Sequence, residues 1–232
     1  MEQEPKISVV FREQSELVHN YRYFYFLANE LTHSALNDKH DINAFRYSMG
    51  AVIFSYTTIE TFVNHVLRSP REQLHDELFS ELSEGLNEKI ERFSLSEKIE
   101  FALRFYPNSK IKQLNKGEEP FQSFDLLRQL RNFLVHYVPR MEVVYSDDAA
   151  YLEQITRLEK SAHTKFEFEQ NVGNARRSFV YRCFNKNCAL WAFNSVQPFI
   201  DWLCDSLDIG KAELTRYWDL SPRSDGADEG KQ

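Results

Sequence analysis

The sequence is poor in glycine and proline, with seven of each in 232 residues. That is about half their usual share. So few turn residues leave room for few hairpins, which argues against a many-stranded sandwich or barrel and for long helices. No G-x-G-x-x-G or G-x-x-x-x-G-K-[ST] run occurs, so a Gly-rich phosphate loop is not expected. No stretch of about 18 apolar residues occurs either, so no membrane span is expected. The start, MEQEPKISVV, is charged and lacks the apolar segment of a signal peptide. Cysteine is sparse and odd in number: Cys183, Cys188 and Cys204. This usage fits a reducing cytoplasm and buried free thiols. Cys183 and Cys188 are five apart with no neighbouring histidine, a spacing unsuited to zinc. There is no G-x-S-x-G and no cysteine in a basic context, so a Ser or Cys nucleophile is not indicated. His33 and His40 with Asp38 and Asp41 fall across a helix break and read as a turn rather than a metal cluster.

An excess of positive charge is also missing. Lys and Arg number 28 against 35 Asp and Glu, a formal charge of −7. Counterion release needs clustered cations, so an acidic chain is a poor general binder of nucleic acid, although a local basic site remains open. The densest basic groups, Lys110/Lys112/Lys116 and Arg176-Arg177, read as solvated loops. What is present is an ordinary globular balance, 42% apolar and 27% charged, on a chain long enough to bury a core.

The periodicity predicts an all-α bundle of long antiparallel helices, with a minor extended excursion around 140–180. Residues 1–12 read as an extension, 13–208 as one domain, and 209–232 as a short helix and a disordered polar tail. A first helix is expected from about Glu13 to Asn37; its cluster Tyr21, Tyr23, Phe24, Tyr25, Phe26 reads as packing surface. Asp41 is the expected cap of a second helix ending near Ser69 and Pro70. It is apolar over most of its circumference and so central. Glu60 and His65 lie within it. Ser94 and Glu97 resemble a capping box. A further helix should run from about Pro120 to Tyr137 and stop at Pro139. Glu142–Tyr145 could be extended, Asp147 or Asp148 could cap a helix, and Phe166 and Phe168 alternate with charge like a short strand. One last helix is expected over Asn187–Leu207.

The chemistry lies in Phe121-Gln-Ser-Phe-Asp-Leu-Leu-Arg-Gln-Leu-Arg-Asn-Phe-Leu-Val-His-Tyr137. On a helical wheel, Leu126, Leu127, Leu130, Phe133, Leu134 and Tyr137 form an apolar arc. Asp125, Arg128, Gln129, Arg131, Asn132 and His136 fall on the other side. Asn132 and His136 are four apart, and Arg128 and Arg131 three apart, so each pair neighbours on the surface. Two guanidinium groups, an amide and an imidazole on one face suit phosphodiester chemistry. Imidazole can pass a proton to or from a ribose hydroxyl, and guanidinium stabilises charge building on phosphate. Asn132 could hold the imidazole tautomer or orient a phosphate. Glu60 could orient His136, pair with Arg131, or only satisfy a buried polar position. The same residues on a plain solvated helix face would also fit the pattern.

The run LRQLRNFLVHY resembles the signature helix of the HEPN superfamily, whose motif is Arg, a polar residue, three more residues and His. Arg131, Asn132 and His136 stand at those positions. AVIFSYTTIETFVNHVL, with Glu60, is similar to the earlier core helix of larger members; SLSEKIEFAL and ALWAFNSVQPFIDWL resemble their intermediate and closing helices. The likeness covers roughly residues 15–208 and is specific at the motif helix. It implies an all-helical homodimer whose motif helices meet across the two-fold axis and pool Arg131 and His136. It implies a ribonuclease that needs no metal and no cofactor and leaves cyclic phosphate ends, in a bacterial toxin or defence setting. A separate antitoxin or activator could accompany it. Arg128, Asn132 and Glu60 are the expected supporting residues. Members without catalysis serve as binding or dimerisation modules, which is the alternative expectation here.

Overall fold

The computed structural model describes residues 7–73, 89–106, 109–111, 113–136, 149–168 and 179–209. They form eight α-helices of five residues or more and, among the described residues, no strand. These are α1 (Ile7–Asn37), α2 (Asp41–Gln73), α3 (Leu95–Phe105), α4 (Phe121–Val135), α5 (Ala149–His163), α6 (Phe179–Cys183), α7 (Lys186–Asn194) and α8 (Val196–Leu207). No helix among them is long and apolar enough to cross a membrane.

The two long helices pair antiparallel. Tyr21 of α1 meets Phe62 of α2 edge-on at 5.6 Å, and Phe24 stacks on Phe54 at 5.9 Å nearer the connection. At Gly50 the helices come so close that a Cβ would sit 2.8 Å from Leu31 Cδ1. Ala35, Ala51 and Ala189 form a small-residue contact there that admits α7. Asp38 turns the connection: its Oδ1 accepts from the His40 N–H at 2.7 Å. The Asp38 side chain therefore serves the geometry of the turn.

α2 packs against α1, α3, α4, α7 and α8. Its Ile59, Phe62 and Val63 share one buried cluster with Ile99 and Leu103 of α3, Phe124, Leu127 and Leu130 of α4, and Phe199 and Leu203 of α8. A helix embraced on most sides must be apolar on most sides, as the sequence of α2 is. Ser94 caps α3 with the reciprocal Ser94–Glu97 bonds of a capping box.

Four sequence expectations need correction. α1 begins at Ile7 rather than near Glu13; no helix breaker stands between Pro5 and Glu13. α2 runs through Pro70 to Gln73, although a proline inside a helix removes a backbone bond and crowds the preceding turn. The expected last helix is two, α7 and α8, broken at Ser195. Pro198 explains the break: it has no N–H for the carbonyl of Asn194, yet is at home in the first turn of a new helix. Phe166 and Phe168 are not in a strand. They follow α5 in irregular chain, and both rings are buried and stacked at 5.6 Å; two rings on one side of an extended stretch mimic strand alternation. The five-residue α6 was not foreseen. The extended piece at Glu142–Tyr145, the caps Asp147 and Asp148, Tyr137, Pro139, Arg176-Arg177 and the C-terminal tail lie outside the described residues.

Candidate active site

α4 presents the face that its sequence predicts. Phe121, Phe124, Leu126, Leu127, Leu130 and Phe133 are buried. Asp125, Arg128, Gln129, Arg131 and Asn132 are half-buried, and Val135 and His136 are exposed. His136 stands one residue past the helix as its C-cap, and its backbone N–H donates to the Asn132 carbonyl at 3.0 Å. The imidazole therefore projects from the end of the helix, into solvent.

Arg131 is the best fixed of the group. Its guanidinium carbon lies 5.1 Å from the centroid of the Tyr56 ring, within the range of a cation–π contact. Its Nη1 donates to Asn132 Oδ1 at 3.1 Å. Its Nε is buried and unpartnered. The guanidinium makes no other hydrogen bond among the described residues, so Nη2 keeps its donors for a ligand. Asn132 thus orients Arg131 and not the imidazole.

Tyr56 is the residue that sequence reasoning missed. In the sequence it looks like one more apolar position of α2. The ring is 5% exposed and stacks parallel to Phe124 of α4 at 6.4 Å. Its phenol is pushed up to about 12 by burial first and the Glu60 carboxylate next, against the opposing pull of Arg131 and Arg128. Tyr56 therefore stays a neutral hydroxyl and supports Arg131 from below. A signal was available: a tyrosine between an apolar stripe and a carboxylate one turn on sits where a core meets a polar surface.

Arg128 is engaged already. Its Nε and Nη2 both donate to Asp125 Oδ1, at 3.0 and 2.7 Å, and Gln129 Nε2 donates to Asp125 Oδ2 at 2.8 Å. Glu60 is half-buried and makes no hydrogen bond or ion pair with Arg131 or His136; it acts on the site through the charge it places beside Tyr56. His65 lies on the opposite side of α2, its ring 5.9 Å from Tyr21 of α1.

Other candidates take structural places. Cys183, Cys188 and Cys204 are free and buried. Burial, and next a hydrogen bond with Cys188, pushes the Cys183 thiol well above its ordinary value, the opposite of a nucleophile. Lys110 pairs with Asp208 at 2.6 Å and Lys116 with Glu100 at 2.7 Å, so they do not make a basic track. Among the described residues no group of three His, Cys, Asp or Glu is placed to hold a metal ion. A cavity of about 90 Å³ lies between the α1–α2 turn and α6–α7, lined by Ala35, Asp38, Phe45, Tyr181 and Lys186 among others. None of the site residues on α4 lines it.

No protein-family model matches the chain. No curated protein and no solved structure matches it either.

Proposed function

We propose that the protein is a metal-independent endoribonuclease of HEPN type that works as a homodimer. The observation that carries this reading is Arg131, held over the Tyr56 ring and tied to Asn132 with donors still open, on the same helix end as an exposed His136. In the proposed reaction the ribose 2′-oxygen forms a bond to the adjacent phosphorus and the bond to the 5′-oxygen breaks. A His136 imidazole takes the 2′-hydroxyl proton, and a second, from the partner copy, gives one to the leaving 5′-oxygen. Arg131 stabilises the charge on the phosphorane oxygens. Because the nucleophile comes from the substrate, the scheme asks for no metal. The defence setting and a separate antitoxin or activator rest on the motif resemblance alone.

A non-catalytic helical binding module is the second reading. Arg128 engaged by Asp125 favours it, since that guanidinium is neutralised within its own helix. Cleavage of a mixed RNA pool in EDTA by wild type and His136→Ala separates the two. Cyclic phosphate ends made by wild type and lost in the variant are the expected result. Intact RNA with both proteins, with and without cell extract as a source of activator, would leave the binding module.

A further inference from the structure

α3 carries a surface feature that its packing does not require. Its buried residues are Leu95, Ile99, Ala102 and Leu103. Away from them three phenylalanines form a row: Phe93 and Phe101 are 6.2 Å apart, and Phe101 and Phe105 are 4.6 Å apart. Phe93 and Phe101 are half-buried, while Phe105 is 68% exposed, the most exposed of the large apolar side chains among the described residues. A ring row that opens to solvent at Phe105 is a candidate interaction surface.

The row borders the candidate site. On α3, Lys98, Phe101 and Phe105 fall within a sector of about 60°. Lys98 Nζ donates to Asn64 Oδ1 of α2 at 2.9 Å. On α2, Tyr56, Glu60 and Asn64 succeed one another at intervals of four, so they form one stripe. Arg131 covers the Tyr56 end and Lys98 the Asn64 end, about 12 Å apart along the axis. Beside the rings, Arg92 and Arg104 are exposed and make no ion pair among the described residues. Lys98, Arg92 and Arg104 thus keep their charges available, unlike Lys110, Lys116 and Arg128, each held by an acid. Glu91 and Glu97 are exposed beside the same rings, and Glu60 lies between the Arg131 and Lys98 ends of the stripe, so the ring faces rather than net positive charge carry the fit to single-stranded nucleic acid, with Lys98, Arg92 and Arg104 as local phosphate contacts.

We propose that single-stranded RNA lies along this surface. Its bases stack on Phe93, Phe101 and Phe105, and its backbone passes Lys98 toward Arg131. The inference rests on the ribonuclease reading for the fate of that strand, but the binding stands separately. It also answers the objection from net charge, because stacking supplies affinity that a basic track otherwise would.

The test uses the full chain with His136→Ala, so that bound RNA survives, and a fluorescein-labelled unstructured 12-nucleotide RNA read by anisotropy across a salt series. Phe105→Ser, at an exposed position, should weaken binding about tenfold. Lys98→Ala should weaken it severalfold and flatten the salt dependence by about one charge. The same substitutions on the wild-type background should slow cleavage only at subsaturating RNA. Cleavage by wild type with RNA affinity unmoved by either substitution would overturn the track and leave the ribonuclease standing. Absence of both binding and cleavage in every variant would remove the two together. If Phe105→Ser instead dissolves a dimer in light scattering without changing RNA affinity, the ring row is a protein contact and the proposal fails.

Discussion

The guanidinium of Arg131 lies over the ring of Tyr56 at 5.1 Å. Because Nη1 also donates to Asn132 Oδ1, the guanidinium is held in orientation as well as in place, which an ammonium on a flexible stem would not be. Arg131→Lys should therefore behave much like Arg131→Ala. Each should reduce RNA cleavage by about a hundredfold or more, with unchanged circular dichroism. Full activity of the lysine variant would show that only charge is needed.

Asp125 restrains Arg128 through both bonds to one carboxylate oxygen. Arg128→Ala should cost much less activity than Arg131→Ala. Asp125→Asn should release the guanidinium and steepen the salt dependence of RNA affinity by about one charge. A salt series on the two variants checks this. Equal losses from Arg128→Ala and Arg131→Ala would mean that Asp125 lets go when RNA arrives.

The raised phenol of Tyr56 links stability to alkaline pH. Its folded value of about 12 lies above the ordinary 10.0. Below pH 10 both states are protonated there and its contribution is complete. As pH rises from 10 to 12 the unfolded chain loses the proton first, so stability falls across that window. Tyr56→Phe has no such proton. Urea midpoints measured from pH 9 to 12 should drop more steeply in wild type than in Tyr56→Phe; parallel curves would contradict the burial of the hydroxyl. Tyr56→Ala should cost about 3–5 kcal/mol at neutral pH by emptying a core position.

Asn185 ties three segments together. Its Oδ1 accepts from the N–H groups of Asn187 and Cys188, at 2.8 and 3.0 Å, capping α7. Its Nδ2 donates to the carbonyls of Glu167 and Arg182, both at 3.0 Å. Asn185→Ala should destabilise by about 2 kcal/mol, since a cap is lost and two part-buried carbonyls each lose a donor. Asn185→Asp keeps the cap but sets a carboxylate against two carbonyls, and should also lose stability. Thermal melts of both variants test the pair.

How far the sequence could be read follows from where each signal resides. The arc of α4 was legible because burial on one side of a helix leaves a 3.6-residue period. Both faces appear as expected, from Phe124 inward to Arg131 outward. The partner beneath Arg131 was not legible, because a wheel orders residues around one axis and says nothing of which neighbour crosses it. The Asp125–Arg128 pair is three residues apart within one helix and so was local information. The division of the last helix was written in Pro198, whose missing N–H was outweighed in the reading by the apolar residues around it.

Gly50, with Leu31 pressed where a side chain would begin, lies six positions before Tyr56 on the same helix. The spacing of α1 from α2 is thereby coupled to the floor of the site. Residues far from Arg131 thus share in setting the height of the ring beneath it.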